Sequence, residues 1–479
     1  MKRKIVMSVL LVMVLLIMIL PGCQLVQNKN IKLNPNDPVS IKLWHYYNGP
    51  QKGSFDRLVA EFNNTLGAEK GIIVEPFSQG SIDELTKAVT DAVTKKVGAD
   101  ETPDIFSAYA DTAYEIDQLG VVASLDSYLT KKEISEYIPS YIEEGRIDKE
   151  KNLKIFPIVK STEILLLNKT DWDKFASATG ADINQLSTIE GLTETAKAYY
   201  NWSGGKAFFG RDAMANYIII GSKELGKEIF EVSDSNVNFN VDEKIMRQLW
   251  DNYYIPYING YFSSNGRFAS DDAKIGSIIA LVGSTAGATY FPSRITISDS
   301  ESYPIETLAL KAPVFKDGIE TIAQQGAGMA VLKSDERKEY AATIFLKWLT
   351  ESDRNIDFAV TSGYLPVKKE ANQKDKINGA IEKNQTTVIS ENLKKTLPVA
   401  IDRTNTAELY TSKAFAKGTS ARNVLEVSMK QKAKTDLESI NNLVKNGLSK
   451  DAAVAQFSTD ENFKQWFESL KVNLEQSVK

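Results

Sequence analysis

The sequence predicts an α/β protein built on parallel sheet. Short stretches of alternating or continuous apolar residues are separated by stretches with helical spacing. The strand and helix patterns also follow each other in strict alternation near the start of the folded part, which is the signature of strand–helix–strand units. In "VSIKLWHYYNG", Val39, Ile41 and Leu43 alternate with Ser40 and Lys42, a period-two strand signal. Phe55, Leu58, Val59 and Phe62 then fall on one helical stripe. "IIVEPF" is a second strand, and Ser81 to Glu84 has the spacing of a capping box opening a helix through Leu85, Ala88, Val89, Ala92 and Val93. "PDIFSAYAD" is a third strand.

Ligands of such sheets sit beyond the carboxyl ends of strands. That geometry points to Trp44–Asn48, Ser78–Gly80 and Tyr109–Asp111. Further along, Ile164 to Leu167 form an apolar strand, 172–250 reads as mostly helical, and "KIGSIIALVGSTAG" and "GAGMAVLKS" are buried strands. Ser334 is placed to cap a helix with Tyr340, Ala341, Ile344, Phe345, Trp348 and Leu349 on its buried face. Ser352 is placed to cap another helix, which Gly363 ends. The last eighty or so residues read as amphipathic helix, with Leu425, Met429, Leu437, Ile440 and Leu443 inward.

The N-terminus has a different character. Lys2, Arg3 and Lys4 precede an uncharged apolar run from Ile5 to Leu20, and Pro21-Gly22-Cys23 follows. This is the layout of a secretory leader; a one-pass anchor is the alternative, although the run is shorter than the roughly 17–25 residues a spanning helix needs. Leu20-Pro21-Gly22-Cys23 resembles the lipobox of bacterial lipoproteins, with Pro21 in place of the usual Ala or Ser. The resemblance implies that residues 1–22 are removed and Cys23 is acylated, with 23–37 as a tether to the cell membrane. Acyl chains contribute about 0.8 kcal/mol per buried methylene, so two make a stable anchor. From Cys23 onward 54 basic side chains face 62 acidic ones, a formal charge of −8. That balance argues against a nucleic-acid partner, which calls for basic patches.

Chemistry is limited by what is missing. Cys23 is the sole cysteine and His45 the sole histidine, which excludes an intramolecular disulfide, a CxxC pair and a two-histidine zinc site. No GxSxG elbow accompanies His45. Paired carboxylates for glycoside hydrolysis carry no local motif that would identify them. No catalytic residue, metal or cofactor is therefore expected. The strand ends instead offer Trp44, Tyr46 and Tyr47, whose flat faces suit the C–H surface of a sugar ring, beside Asn48 and His45 for its hydroxyls. Packing in the core is the competing reading for each aromatic.

"WHYYNGPQKGSFDRLVAEFN", "FPIVKSTEILLLNK", "IIALVGSTAG" and "QQGAGMAVLKSDERKEYAATIFLKWLT…SGYLPV" together resemble, in order, landmarks of extracellular solute-binding proteins of family 1. Those proteins are receptors of ABC importers, and the likeness is nearest to the sugar and glycerol-phosphate branch. It implies a two-lobed periplasmic-binding-protein-like fold of type II, with the ligand in the inter-lobe cleft and a helical C-terminal region. The expected division is 38–157 with 285–332 as the first lobe, and 158–284 with 333–479 as the second.

Carried onto this chain, the resemblance implies that Trp44, His45, Tyr46, Asn48, Tyr109 and Asp111 line the first lobe's side. Ser161 and Thr162 would face the ligand after a crossover, with Ser284, Gly326 and Tyr364 at matching positions. Where relatives place tryptophans, this chain has "WSGGKAFFGRDA", which offers Trp202, Phe209, Arg211 or Asp212. Lys160, beside Ser161, would favour a phosphate or carboxylate ligand unless it is solvated at the rim. The implied role is capture of a carbohydrate, or a glycerol-phosphate-type solute, by a monomer that delivers it to membrane permease subunits. A secreted carbohydrate-active enzyme and a surface adhesin or sensor subunit are the other classes to weigh.

Overall fold

The computed structural model describes residues 31–233, 236–383 and 389–479. The expected leader and the lipidation at Cys23 lie outside the described residues. The chain begins with β1 (Val39–His45), α1 (Gly49–Asn64), β2 (Ile72–Ser78), α2 (Ile82–Val93), β3 (Ile105–Ala108), α3 (Ala110–Asp117), α4 (Pro139–Glu144) and β4 (Ile155–Phe156). It continues with β5 (Glu163–Asn168), β6 (Phe209–Arg211), α5 (Met214–Glu224), α6 (Glu243–Ile258), β7 (Ala280–Ser284), β8 (Thr307–Lys311), β9 (Thr321–Ala323) and β10 (Gly328–Val331). The remainder includes α7 (Glu336–Leu349), α8 (Ser352–Ser362), α9 (Glu391–Thr406), β11 (Glu408–Tyr410), α10 (Gly418–Lys445) and α11 (Asp460–Ser477).

Two sheets organise two lobes. The first has the order β2-β1-β3-β10-β4 and the second β8-β5-β7-β6. In the first, β1 lies parallel to both β2 and β3, so His45, Ser78 and Ala108 end at one edge. In the second, antiparallel pairing sets Glu163 opposite Ser284, and β6 runs parallel to β7 with Arg211 opposite Val282. The segments that follow β1 and β7 meet, since Gln51 of α1 donates to the Ala286 carbonyl in the loop after β7. Ser81 caps α2 with the reciprocal Glu84 bond of a capping box, satisfying backbone donors the helix leaves open.

Three chain segments join the lobes side by side. The backbones of Lys160 and Leu365 exchange hydrogen bonds of 3.0 and 2.6 Å, and those of Ser161 and Gln325 exchange bonds of 2.9 and 3.0 Å. Gly326 is forced by this packing: it has φ +93°, and a Cβ there would sit 3.2 Å from the Lys160 Cα.

Several expectations need correction. Residues 307–311, expected in the first lobe, form β8 and pair with β5 in the second sheet. Helix α7, expected in the second lobe, covers the first sheet: Phe345 and Trp348 meet Phe62 of α1 at ring distances of 5.0 and 5.2 Å. The reason is that β10 returns the chain to the first sheet, and the next helix packs there before the chain crosses again. Asp335, not Ser334, caps α7, because its carboxylate accepts the Lys338 N–H. Ser352 is the first residue of α8, after Glu351. Within 172–250 the helices are interrupted by β6 and by a hairpin of Phe230–Ser233 with Asn236–Phe239. The end of the expected tether is held: Asp37 takes two hydrogen bonds from Arg337, at 3.0 and 2.9 Å.

Candidate functional site

Tyrosines converge at the junction of the lobes. The Tyr46 and Tyr364 hydroxyls lie 3.0 Å apart, and the Tyr47 ring meets those of Tyr46 and Tyr364 at 5.2 and 6.0 Å. Tyr109 follows β3, whose carboxyl end lies beside that of β1, and Tyr290 lies on the second lobe's loop after β7. The same loop reaches the first lobe, where the Tyr290 hydroxyl would be 3.7 Å from a Cβ on Gly49. Gln51 of α1 adds amide bonds to the carbonyls of Ala286 and Ser362, at 3.2 and 3.3 Å. Burial raises the Tyr46 and Tyr364 pKa values well above the usual phenol value, so both hydroxyls stay neutral and can donate and accept. Tyr109 and Tyr290 remain substantially exposed, at 41 % and 46 %.

The second lobe supplies a polar edge. Glu163 accepts from Arg211 at 2.9 Å and from the Asn216 amide at 3.1 Å. Ser284 faces Glu163 in register and accepts the Ala286 N–H at 3.3 Å. Asp212 accepts the Ala269 N–H at 2.9 Å, and burial raises its carboxyl pKa. Ser161 and Thr162 are buried on the crossover leading into β5, and the Thr162 hydroxyl has no hydrogen-bond partner. The Gln325 side-chain oxygen, on the neighbouring crossover, is likewise buried and unpartnered. Such atoms are costly to leave unpaired, and a polar solute is one means of satisfying them.

Other expected residues are placed differently. Trp44 is 3 % exposed and packs with Leu85, Val89 and Phe106 beneath α2 and α3, because alternation along β1 turns it into that core. His45 is fully buried beside Tyr47 and Phe55; its Nδ1 accepts the Tyr47 N–H, and burial pushes its pKa down to about 4. Phe209 is core, edge-on to Phe262 at 4.9 Å. Trp202 sits against Phe175 and Tyr199 on a distant helix face. Asn48 braces the loop, donating to the carbonyls of Tyr46 and Gly80, both at 3.0 Å.

The charged candidates are already paired. Lys160 is 2 % exposed and donates to Glu144 at 2.7 Å and to the Gly326 carbonyl at 2.8 Å, so it is a structural cation of the crossover. Arg211 is held by Glu163, and Asp111 by Arg422 at 2.7 Å. These pairings leave little charge for an ionic ligand and many hydroxyl-scale donors and acceptors. Glu163, Asn216, Tyr290, Gln51 and Arg422 were not singled out from sequence; Tyr290 follows the "GSTAG" loop that was, and that proximity was the available signal.

Among the described residues no group of His, Cys, Asp and Glu could hold a metal ion, and no helix is long and apolar enough to cross a membrane.

Comparison with solved structures gives the same architecture. The cyclic α-maltosyl-1,6-maltose binding protein of Arthrobacter globiformis aligns over 92% of this chain and 99% of its own, with TM-score 0.65 and 17% identity. UgpB of Mycobacterium tuberculosis, solved with glycerophosphocholine, aligns over 92% and 100% at TM-score 0.65 and 17% identity. The maltose/maltodextrin-binding domain MalE of Bdellovibrio bacteriovorus, bound to maltotriose, aligns over 92% and 100% at TM-score 0.61 and 14% identity. No curated protein matches the chain by sequence. The family described as bacterial extracellular solute-binding protein matches residues 57–385, well over half of the 479. With two lobes, side-by-side crossovers and a polar aromatic junction between them, the chain belongs to the bacterial extracellular solute-binding proteins.

Proposed function

We propose that this protein captures a carbohydrate between its lobes and hands it to the membrane subunits of an ABC importer, without chemical change to the ligand. The observation that carries this reading is the meeting of Tyr46 and Tyr364, from the first lobe and a crossover, with Tyr109 at the adjoining strand end and Tyr290 on the second lobe's loop that reaches Gly49. Aromatic faces with hydroxyl edges suit a sugar, which presents C–H faces and hydroxyl rims. The pairing of Lys160, Arg211 and Arg422 with carboxylates favours a neutral polyhydroxyl ligand over a phosphorylated one. Ligands of similarly folded proteins, maltotriose and glycerophosphocholine, span that choice.

A ligand touching both lobes favours the closed arrangement by its differential contacts. The family places the protein outside the cytoplasm. The lipobox-like Leu20-Pro21-Gly22-Cys23 supports anchoring through an acylated Cys23, close to the permease. Thermal unfolding of the chain from residue 24 onward, with maltotriose, other saccharides and glycerophosphocholine at millimolar concentration, tests the ligand class. A saccharide that binds raises Tm by mass action; no shift with any saccharide refutes the reading. Mass spectrometry of membrane-extracted protein tests the acylation.

A further inference from the structure

We infer that Arg422 and the N-terminus of α10 form an inter-lobe latch on α3, which sets ligand affinity without touching the ligand. The inference rests on the two-lobed binding mode above. Helix α3 belongs to the first lobe, where Ala113 and Ile116 pack with Trp44, Leu85 and Phe106. Helix α10 belongs to the second, where Leu425, Met429 and Ile440 pack with Trp250 and Phe463. Between them, the Arg422 Nε donates to Asp111 at 2.7 Å, and its Nη2 donates to the Ser412 hydroxyl. The Lys417 N–H donates to the Glu115 carboxylate at 3.2 Å.

Two features show that α3 and α10 are shaped to meet. Gly418 opens α10, and a Cβ there would lie 2.4 Å from the Asp111 Oδ1, so only glycine allows this approach. The positive end of a long helix thus abuts two carboxylates of the opposite lobe, a favourable charge–dipole arrangement. Asp111 is 4 % exposed and the Arg422 side chain 28 %, so the pair is shielded from solvent on its carboxylate side. A groove of about 710 Å³ lies alongside, lined by Tyr114, Ser140, Glu144, Gln324, Thr411 and Ser412.

Asp111 is also two residues from Tyr109, so the closed position of the latch fixes the backbone that carries a binding tyrosine. In this inference the latch breaks when the lobes part, so it adds to closure whether or not ligand is present, and the apparent affinity falls with the closed population. Arg422→Gln removes the charge and its fork; Gly418→Ala drives a methyl into Asp111.

Small-angle X-ray scattering of the ligand-free protein decides the matter, with maltotriose titration as the second arm. Both variants are expected to show a larger radius of gyration than the parent without ligand. Maltotriose dissociation constants are expected to rise about tenfold, while circular dichroism stays that of the folded parent. An unchanged ligand-free radius for both variants, or an unchanged maltotriose affinity beside an opened lobe pair, overturns the inference. If the parent itself does not bind maltotriose, the ligand assignment suffers, and scattering alone then decides for or against the latch.

Discussion

The hydroxyls of Tyr46 and Tyr364 meet at 3.0 Å across 318 positions of sequence, joining the end of β1 to the crossover after α8. Either oxygen can donate, so the pair can re-aim a hydrogen towards a sugar hydroxyl without breaking its own link. Tyr364→Phe removes one donor and one acceptor but keeps the ring. A neutral hydrogen bond contributes about 0.5–1.5 kcal/mol net, which corresponds to a roughly two- to tenfold weaker dissociation constant. Calorimetric titration with the saccharide found by thermal shift checks this, and equal affinity of variant and parent excludes the pair from the site.

Trp44 separates core from cleft. Its ring is buried with Leu85, Val89 and Phe106, so Trp44→Ala empties a core position. The expected loss is about 3–5 kcal/mol in denaturant unfolding. Ligand affinity, measured on the fraction still folded, is expected to change little. A variant of parental stability with abolished binding would restore the stacking role that the sequence suggested.

The contrast between Trp44 and Tyr46 marks what the sequence conveys. The parallel half of the first sheet is legible because β1 and β2 show period-two or continuous apolar runs, and the helices after them have clear stripes and caps. Which face of β1 meets ligand is not legible, because the period-two pattern of Val39 to Leu43 lapses at the strand's end, where aromatic residues fall on both faces and helices cover each. The roles of Lys160 and Arg211 depend on Glu144 and Glu163, partners 16 and 48 positions away with no local motif linking them. Short strands such as β9 and β11 have three residues each, too few to display a period. Arg422 lies 311 positions from Asp111, and helical periodicity marks it only as a polar residue of α10.

The crossover pair of Lys160 and Glu144 makes a thermodynamic prediction. Both side chains are nearly sealed, at 2 % and 8 % exposure, and Gln324 donates to the same carboxylate. Lys160→Met leaves Glu144 buried without its cation, and breaking such a pair costs about 3–5 kcal/mol. Replacing both, Lys160→Met with Glu144→Gln, is expected to cost less than the sum of the single changes, since no lone charge remains. Urea unfolding of the parent, the two single variants and the double variant measures the coupling. Additive losses would mean that the two groups do not act as a pair.

Glu224 supplies the pH dependence. It is 5 % exposed at the end of α5, accepts the Phe315 N–H at 3.0 Å, and has its pKa pushed up to about 8 by burial. The Phe315 bond and the Arg403 and Arg211 charges pull the other way, while Glu163 adds to the rise, and burial prevails. In the unfolded chain the group titrates near about 4.3. Between those two values the folded protein holds a proton that the unfolded chain has released, so stability falls as pH rises through that window. Glu224→Gln keeps an acceptor for the Phe315 N–H and removes the titration. Parent and variant are therefore expected to have similar stability near pH 4. At pH 9 the variant is expected to be the more stable, by about 1.4 kcal/mol for each unit of the shift. Urea unfolding of both proteins across that pH range reads the divergence directly, and parallel curves would mean that Glu224 titrates alike in the folded and the unfolded chain.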